Sequence, residues 1–239
     1  MWRVLPIMAL CVAMSGVPVY AQDNPADAGR AAFEANSCHE CHATERPGPD
    51  YSMADRAAEM GPNLWYAGSK FQKPWLESWL ADPTPVSLIR HDRMLPDTNV
   101  SRHPKLFGDD LAKVVDYLMS LTDPEVVAGA ISTDEPMDRM TKIEGRVLFG
   151  KDQQCFGCHK TVTRYGQEVG GSSAPSLATA YRRLNPDWVY AFLMNQKRYV
   201  PITRMPIYRG DTYTEYGVQQ MRYLARYIAD MGKPRRRGR

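Results

Sequence analysis

Two short runs constrain this chain more than anything else in it: Cys38-His39-Glu40-Cys41-His42 and Cys155-Phe156-Gly157-Cys158-His159. They stand at matching places in a sequence that is written twice. Gly29-Arg30-x-x-Phe33 precedes the first run, and Gly145-Arg146-x-x-Phe149 precedes the second. Beyond the histidines come Gly61-Pro62-Asn63-Leu64 and Ala174-Pro175-Ser176-Leu177, and thirteen residues after each proline stands a tryptophan, Trp75 or Trp188. Met94-Leu95-Pro96 answers Met205-Pro206. Each copy closes on a one-faced helical pattern. Leu111, Val114, Val115 and Leu118 form it in the first copy, and Val218, Met221, Leu224, Ala225 and Ile228 in the second.

The repeat sets the expected organisation. Residues 22–122 and 141–232 form two units, joined by a linker over 123–140 where periodicity fails and Pro124, Gly129 and Pro136 fall. Each unit starts with a helix that ends near its cysteine pair, with Asp27 and Thr141 as candidate caps. A loop, a helix around the tryptophan, an irregular methionine loop and a final helix follow. No alternating strand pattern of any length is present, so the expected fold class is all-α. Ahead of the first unit, Met1-Trp2-Arg3 and the apolar run Val4 to Val19 read as an export signal ending at residue 21, with an uncleaved anchor as the alternative. Pro6 and Pro18 interrupt the run, which is short for a bilayer span. Leu10 before Cys11 is too bulky for a lipoprotein cleavage site.

Export changes how the cysteines are read. Four cysteines in an exported chain would ordinarily mean two disulfides, but here they fall as close pairs, each followed at once by histidine. Two thiols at i and i+3 of one helical turn reach both vinyl groups of a single porphyrin. The next residue then turns its imidazole to the iron. With 5 Cys and 5 His in 239 residues, chance yields such a run about 0.002 times per chain, so two matches point to two covalently bound haem c groups. A redox dithiol would follow a strand in an α/β pattern, and a zinc ribbon would bring its second pair within some 15–20 residues. Neither context is present. The first run alone offers zinc ligands, but the second does not.

On these residues each half resembles a class I cytochrome c domain, and the pair is similar to the periplasmic two-domain dihaem cytochromes c. The likeness covers nearly the whole chain after the signal. It implies two tandem class I cytochrome c-like domains with Cys38, Cys41, Cys155 and Cys158 as thioether sites and His42 and His159 as proximal ligands. It implies that Gly29 and Phe33 meet Val114 and Tyr117, and that Gly145 and Phe149 meet Leu224 and Tyr227. Pro62 and Pro175 would each give a carbonyl to the second nitrogen of the proximal histidine, fixing its tautomer. Met94 and Met205 would be the distal ligands, Met94 with one residue inserted before its proline. Trp75 and Trp188 would pack over the haem edge. His91 and His103 have no counterparts in the second half and are read as surface histidines.

Charge divides between the halves. Residues 22–130 hold 10 Lys and Arg against 17 Asp and Glu, whereas residues 131–232 hold 14 against 10, and the tail 233–239 adds 5 Lys and Arg with no acids. Such a dipole steers charged partners, or amounts to two ordinary surfaces. The tail suits an acidic partner, anionic lipid or plain solvation. Nothing after the signal is apolar enough to cross a membrane, and export leaves nucleic acid out. With both axial positions filled by protein, a haem transfers electrons rather than binding small molecules. The expectation is therefore a periplasmic electron carrier between unidentified redox proteins. The alternatives are a cytochrome subunit docked to a dehydrogenase or oxidase, and a haem enzyme such as a peroxidase or sulfur-compound oxidase.

Overall fold

A computed structural model describes residues 25–87, 103–163, 165–207 and 215–234. The signal segment, Met94, His91 and most of the basic tail lie outside these residues. The chain is mostly helical. In the first half, helices α1 (Pro25–Ala35), α2 (Met53–Ala58), α3 (Ala67–Lys70), α4 (Lys73–Ala81) and α5 (Gly108–Ser120) follow in order. The second half holds α6 (Arg139–Val147), a wider turn over Leu148–Asp152, α7 (Ala180–Arg183), α8 (Pro186–Met194), α9 (Gln196–Tyr199) and α10 (Glu215–Ala229).

Three local expectations need correction. A small antiparallel ribbon, β1 (Lys160–Val162) and β2 (Glu168–Gly170), follows the second histidine, with Thr161 opposite Val169. Three residues per strand are too few to leave an alternating signature. Asp138, not Thr141, caps α6, accepting from the Thr141 N–H at 2.9 Å. Thr141 sits inside the first turn, and its hydroxyl donates to Asp138 instead. Asp27 likewise lies within the first turn of α1, which begins at Pro25.

Each half is built on its first and last helices crossing at a glycine. An added Cβ on Gly29 would stand 2.6 Å from the Lys113 carbonyl oxygen and 2.7 Å from the Tyr117 Cβ. On Gly145 it would stand 2.5 Å from the Tyr227 Cβ and 2.9 Å from the Tyr223 carbonyl oxygen. One turn on, Phe33 meets Tyr117 edge-on with ring centres 5.5 Å apart, and Phe149 meets Tyr227 at 5.9 Å. Val114 and Leu224 are 1% exposed in the same two cores. The pairings that the resemblance implied are therefore present in both halves. Gly145→Ala is expected to cost about 1–3 kcal/mol by forcing α6 off α10. Gly150→Ala, with nothing near its added Cβ, serves as the control. Urea unfolding checks the pair, and equal midpoints would show that the helices separate freely.

The halves are not separate bodies on a string. Trp65 and Tyr66 of the first half are buried in the core of the second. Trp65 stacks on Tyr199 at 5.8 Å and 8°, and Tyr66 stacks on Trp188 at 5.8 Å and 6°. Backbone crosses the same boundary, with the Ser176 N–H donating to the Val86 carbonyl at 2.7 Å. The Gln72 N–H donates to the Arg183 carbonyl at 3.0 Å and the Asn185 N–H to the Lys70 carbonyl at 2.8 Å, around a Phe71–Leu184 bridge. Lys70-Phe71-Gln72 and Arg183-Leu184-Asn185 are equivalent in the repeat, so this is a self-complementary contact between two copies in one chain. Among the described residues, no helix is long and apolar enough to cross a membrane.

Candidate functional site

Both Cys-x-x-Cys-His runs fold into the same turn. The residue before each first cysteine, Ser37 or Gln154, takes a left-handed conformation at φ 54° or 51°. Neither is glycine, so each turn holds a backbone conformation that costs on the order of 1 kcal/mol. A single 3-10 turn follows, over Cys38–Glu40 and Cys155–Gly157. The His42 N–H donates to the Cys38 carbonyl at 3.0 Å, and the His159 N–H to the Cys155 carbonyl at 2.9 Å. Each turn thus presents two thiols and an imidazole from five consecutive residues.

The first thiol of each pair is a poor nucleophile. Burial pushes the Cys155 thiol up to about 11 and raises Cys38 as well. A redox-active dithiol needs the opposite shift. Among the described residues, no group of three or more His, Cys, Asp and Glu side chains gathers as a cluster for a metal ion, so the first run does not assemble a zinc cage around its own thiols.

The prolines hold the histidines. His42 Nδ1 donates to the Pro62 carbonyl at 2.8 Å, and His159 Nδ1 to the Pro175 carbonyl at 2.7 Å. Each bond sets the tautomer, leaving the lone pair on Nε2. The loops carrying the prolines are pinned alike, by Leu64 N–H to the Ala43 carbonyl at 2.7 Å and Leu177 N–H to the Lys160 carbonyl at 2.9 Å. Burial lowers the His159 pKa, opposed in part by its bond to Pro175.

The remaining expected residues divide. Met205 is half-buried against the second core, its N–H donating to the Thr203 hydroxyl at 3.0 Å. Trp75 and Trp188 are unequal: Trp188 is 5% exposed, whereas Trp75 is half-buried in a ladder from Phe71 at 5.2 Å to Trp79 at 5.7 Å. His103 is not a surface histidine. It is half-buried, 4.8 Å from the Trp79 ring and 6.0 Å from that of His42. Repeat logic discards it because it has no partner in the second half. Within the loop over 43–60, α2 starts under a Ser52–Asp55 capping box. Of the tyrosines clustered late in the chain, Tyr199 is fully buried between the halves.

The contact between the halves carries charge that the sequence did not signal. The Lys70 ammonium stands over the Trp188, Tyr66 and Phe71 rings at 5.0, 5.5 and 4.9 Å, and the Arg183 guanidinium over Trp75 at 5.9 Å. Each half's tryptophan is thus covered by the other half's cation. Arg183 is 4% exposed and bonds the Ser176 carbonyl, but no carboxylate among the described residues pairs with it or with Lys70. Burial, aided by Arg183, brings the Lys70 pKa down to about 7, and burial brings Arg183 down to about 10. Arg183 Nε, Trp188 Nε1 and Trp65 Nε1 are buried without acceptors. Buried donors and cations in this state are short of an anion.

The linker, expected to be irregular, is instead tied down. Asp187 accepts from the Gly129 and Ile131 N–H groups, both at 2.8 Å, and Asp123 pairs with Arg198 in two parallel bonds of 2.6 and 2.7 Å. With this geometry in hand, no protein-family description, curated protein or solved structure was found that matches the chain.

Proposed function

We propose that the chain is an exported dihaem electron carrier built from two cytochrome c-like units, each holding one covalent haem c. The observation that carries this reading is the twin turn. In each half, one helical turn offers two thiols and a histidine whose Nδ1 is spent on a proline carbonyl. Haem bound there supplies a one-electron iron couple. Cys38 and Cys41 would hold the first macrocycle, and Cys155 and Cys158 the second. His42 and His159 would be the proximal ligands, oriented by Pro62 and Pro175. Met205 would close the second site, its soft sulfur favouring reduced iron.

The boundary between the halves supports the same reading. Haem propionates would supply the anions that Lys70, Arg183 and the unpartnered tryptophan N–H groups lack, so the residues present fit the group. Trp188 and Trp75 would line the facing edges. An electron entering one half would leave by the other, and the acidic and basic halves would meet different redox partners in the periplasm. Tethering through a packed linker also holds the two units at an effective concentration of about millimolar or more.

The test is kinetic. Reducing one haem by a fast pulse should be followed by first-order redistribution to the other, at a rate independent of protein concentration. A rate that rises with concentration would mean transfer between molecules, and the two-ended relay would be abandoned.

A further inference from the structure

A second imidazole stands beside the first histidine motif. The His42 and His103 ring centres lie 6.0 Å apart, with their planes at 43°. Two imidazoles bound on opposite sides of one metal, each at ~2.0 Å through a ring nitrogen, have ring centres about 6 Å apart. Rotation about the shared axis leaves the angle between their planes open. His103, like His42, spends its Nδ1 on a carbonyl, donating to Pro104 at 2.8 Å, so its lone pair also lies on Nε2.

His103 is held in place from α4. The Trp79 ring lies against it at 4.8 Å, and Trp79 is itself fixed by its indole N–H to the Thr84 carbonyl at 2.7 Å. Three residues on, the Leu106 N–H donates to the Leu80 carbonyl at 3.0 Å, and Lys105 pairs with Asp82. Leu106 is 5% exposed in the first core. The short segment that carries His103 into α5 is therefore anchored beside the first motif.

From this placement we propose that the first haem is held between His42 and His103, and that Met94 is not its ligand. The proposal rests on reading the first motif as a haem site. It makes the two halves unlike: bis-histidine in the first, histidine and methionine in the second. Imidazole in place of thioether lowers the potential, so electrons would run from the first haem to the second.

The experiment uses the full chain, exported and matured with haem. The oxidised protein should show the far-red sulfur-to-iron charge-transfer band at half the amplitude expected for two methionine-ligated haems. Met94→Ala should leave that band and both midpoint potentials unmoved. His103→Ala should turn one of two haems high-spin while the band persists, and added imidazole should restore the low-spin spectrum. The lower of the two potentials should be the one that moves. A full-amplitude band in the unaltered protein, or its halving by Met94→Ala, overturns the proposal. Loss of covalent haem from the first motif itself would instead overturn the reading beneath it.

Discussion

Replacing Cys38 and Cys41 together by alanine is expected to remove one of two haems, and replacing Cys155 and Cys158 the other. The expectation follows from the turn, where five consecutive residues of each half place that half's own thiols. Each half should therefore load its haem whether or not the other does. Intact mass should fall by one haem per altered motif, and denaturing gels should keep haem stain in both single-motif variants but lose it in the fourfold one. His42→Ala or His159→Ala leaves the thioether bonds possible but takes away the imidazole, so the haem should stay attached and turn high-spin. Recovery of zinc in place of iron, or a mass unchanged by either pair of substitutions, would sink the haem assignment.

Asp123→Asn is expected to destabilise the whole chain by about 2–3 kcal/mol, because it removes two charge-assisted bonds in a nearly dry site and leaves the Arg198 guanidinium only the exposed Glu125 carboxylate, at 2.7 Å. The Asp123 side chain is fully buried and that of Arg198 is 12% exposed. Asp123 also joins the halves: its N–H donates to the Ser69 hydroxyl in α3 at 2.8 Å, while its carboxylate grips Arg198 in α9. Paired replacement, Asp123→Leu with Arg198→Met, should cost less than either change alone, since only the exposed Glu125 carboxylate then loses its partner.

The acid response has a definite sign. Burial alone would raise the Asp123 pKa, but bonds from Arg198 and the Glu125 N–H hold it below the ordinary 3.8. The pair's contribution is thus complete above pH about 4 and disappears as pH falls through the lowered value. Urea midpoints for the normal chain should drop along that limb, and those of Asp123→Asn should drop less. Parallel acid limbs would show that the pair does not couple to folding.

How much was legible beforehand depended on how local each feature is. The cysteine–histidine turns, the crossings of Gly29 and Gly145 against Tyr117 and Tyr227, and the proline carbonyls behind His42 and His159 were all readable. Short spacings specify the turns, the resemblance to class I cytochrome c domains implied the crossings and the proline carbonyls, and the internal repeat let each copy check the other. The mostly helical class followed from the same periodicity. The ribbon after His159 and the Asp138 cap were missed at the scale of three residues, where a pattern has no length in which to repeat.

Tertiary structure alone decided what the halves do to each other. Periodicity marks Trp65, Tyr66 and Tyr199 as apolar, but not that they stack across the boundary. It gives no reason for Lys70 and Arg183 to lie under the opposite half's influence without a carboxylate. His103 shows the limit most sharply. The repeat excluded it for want of a twin, yet folding brings its ring to 6.0 Å from that of His42, across 61 residues of chain. A repeat reports only what two copies share. Contacts that make the copies unlike, and the face on which they meet, are set by packing between elements distant in sequence, where no spacing rule reaches.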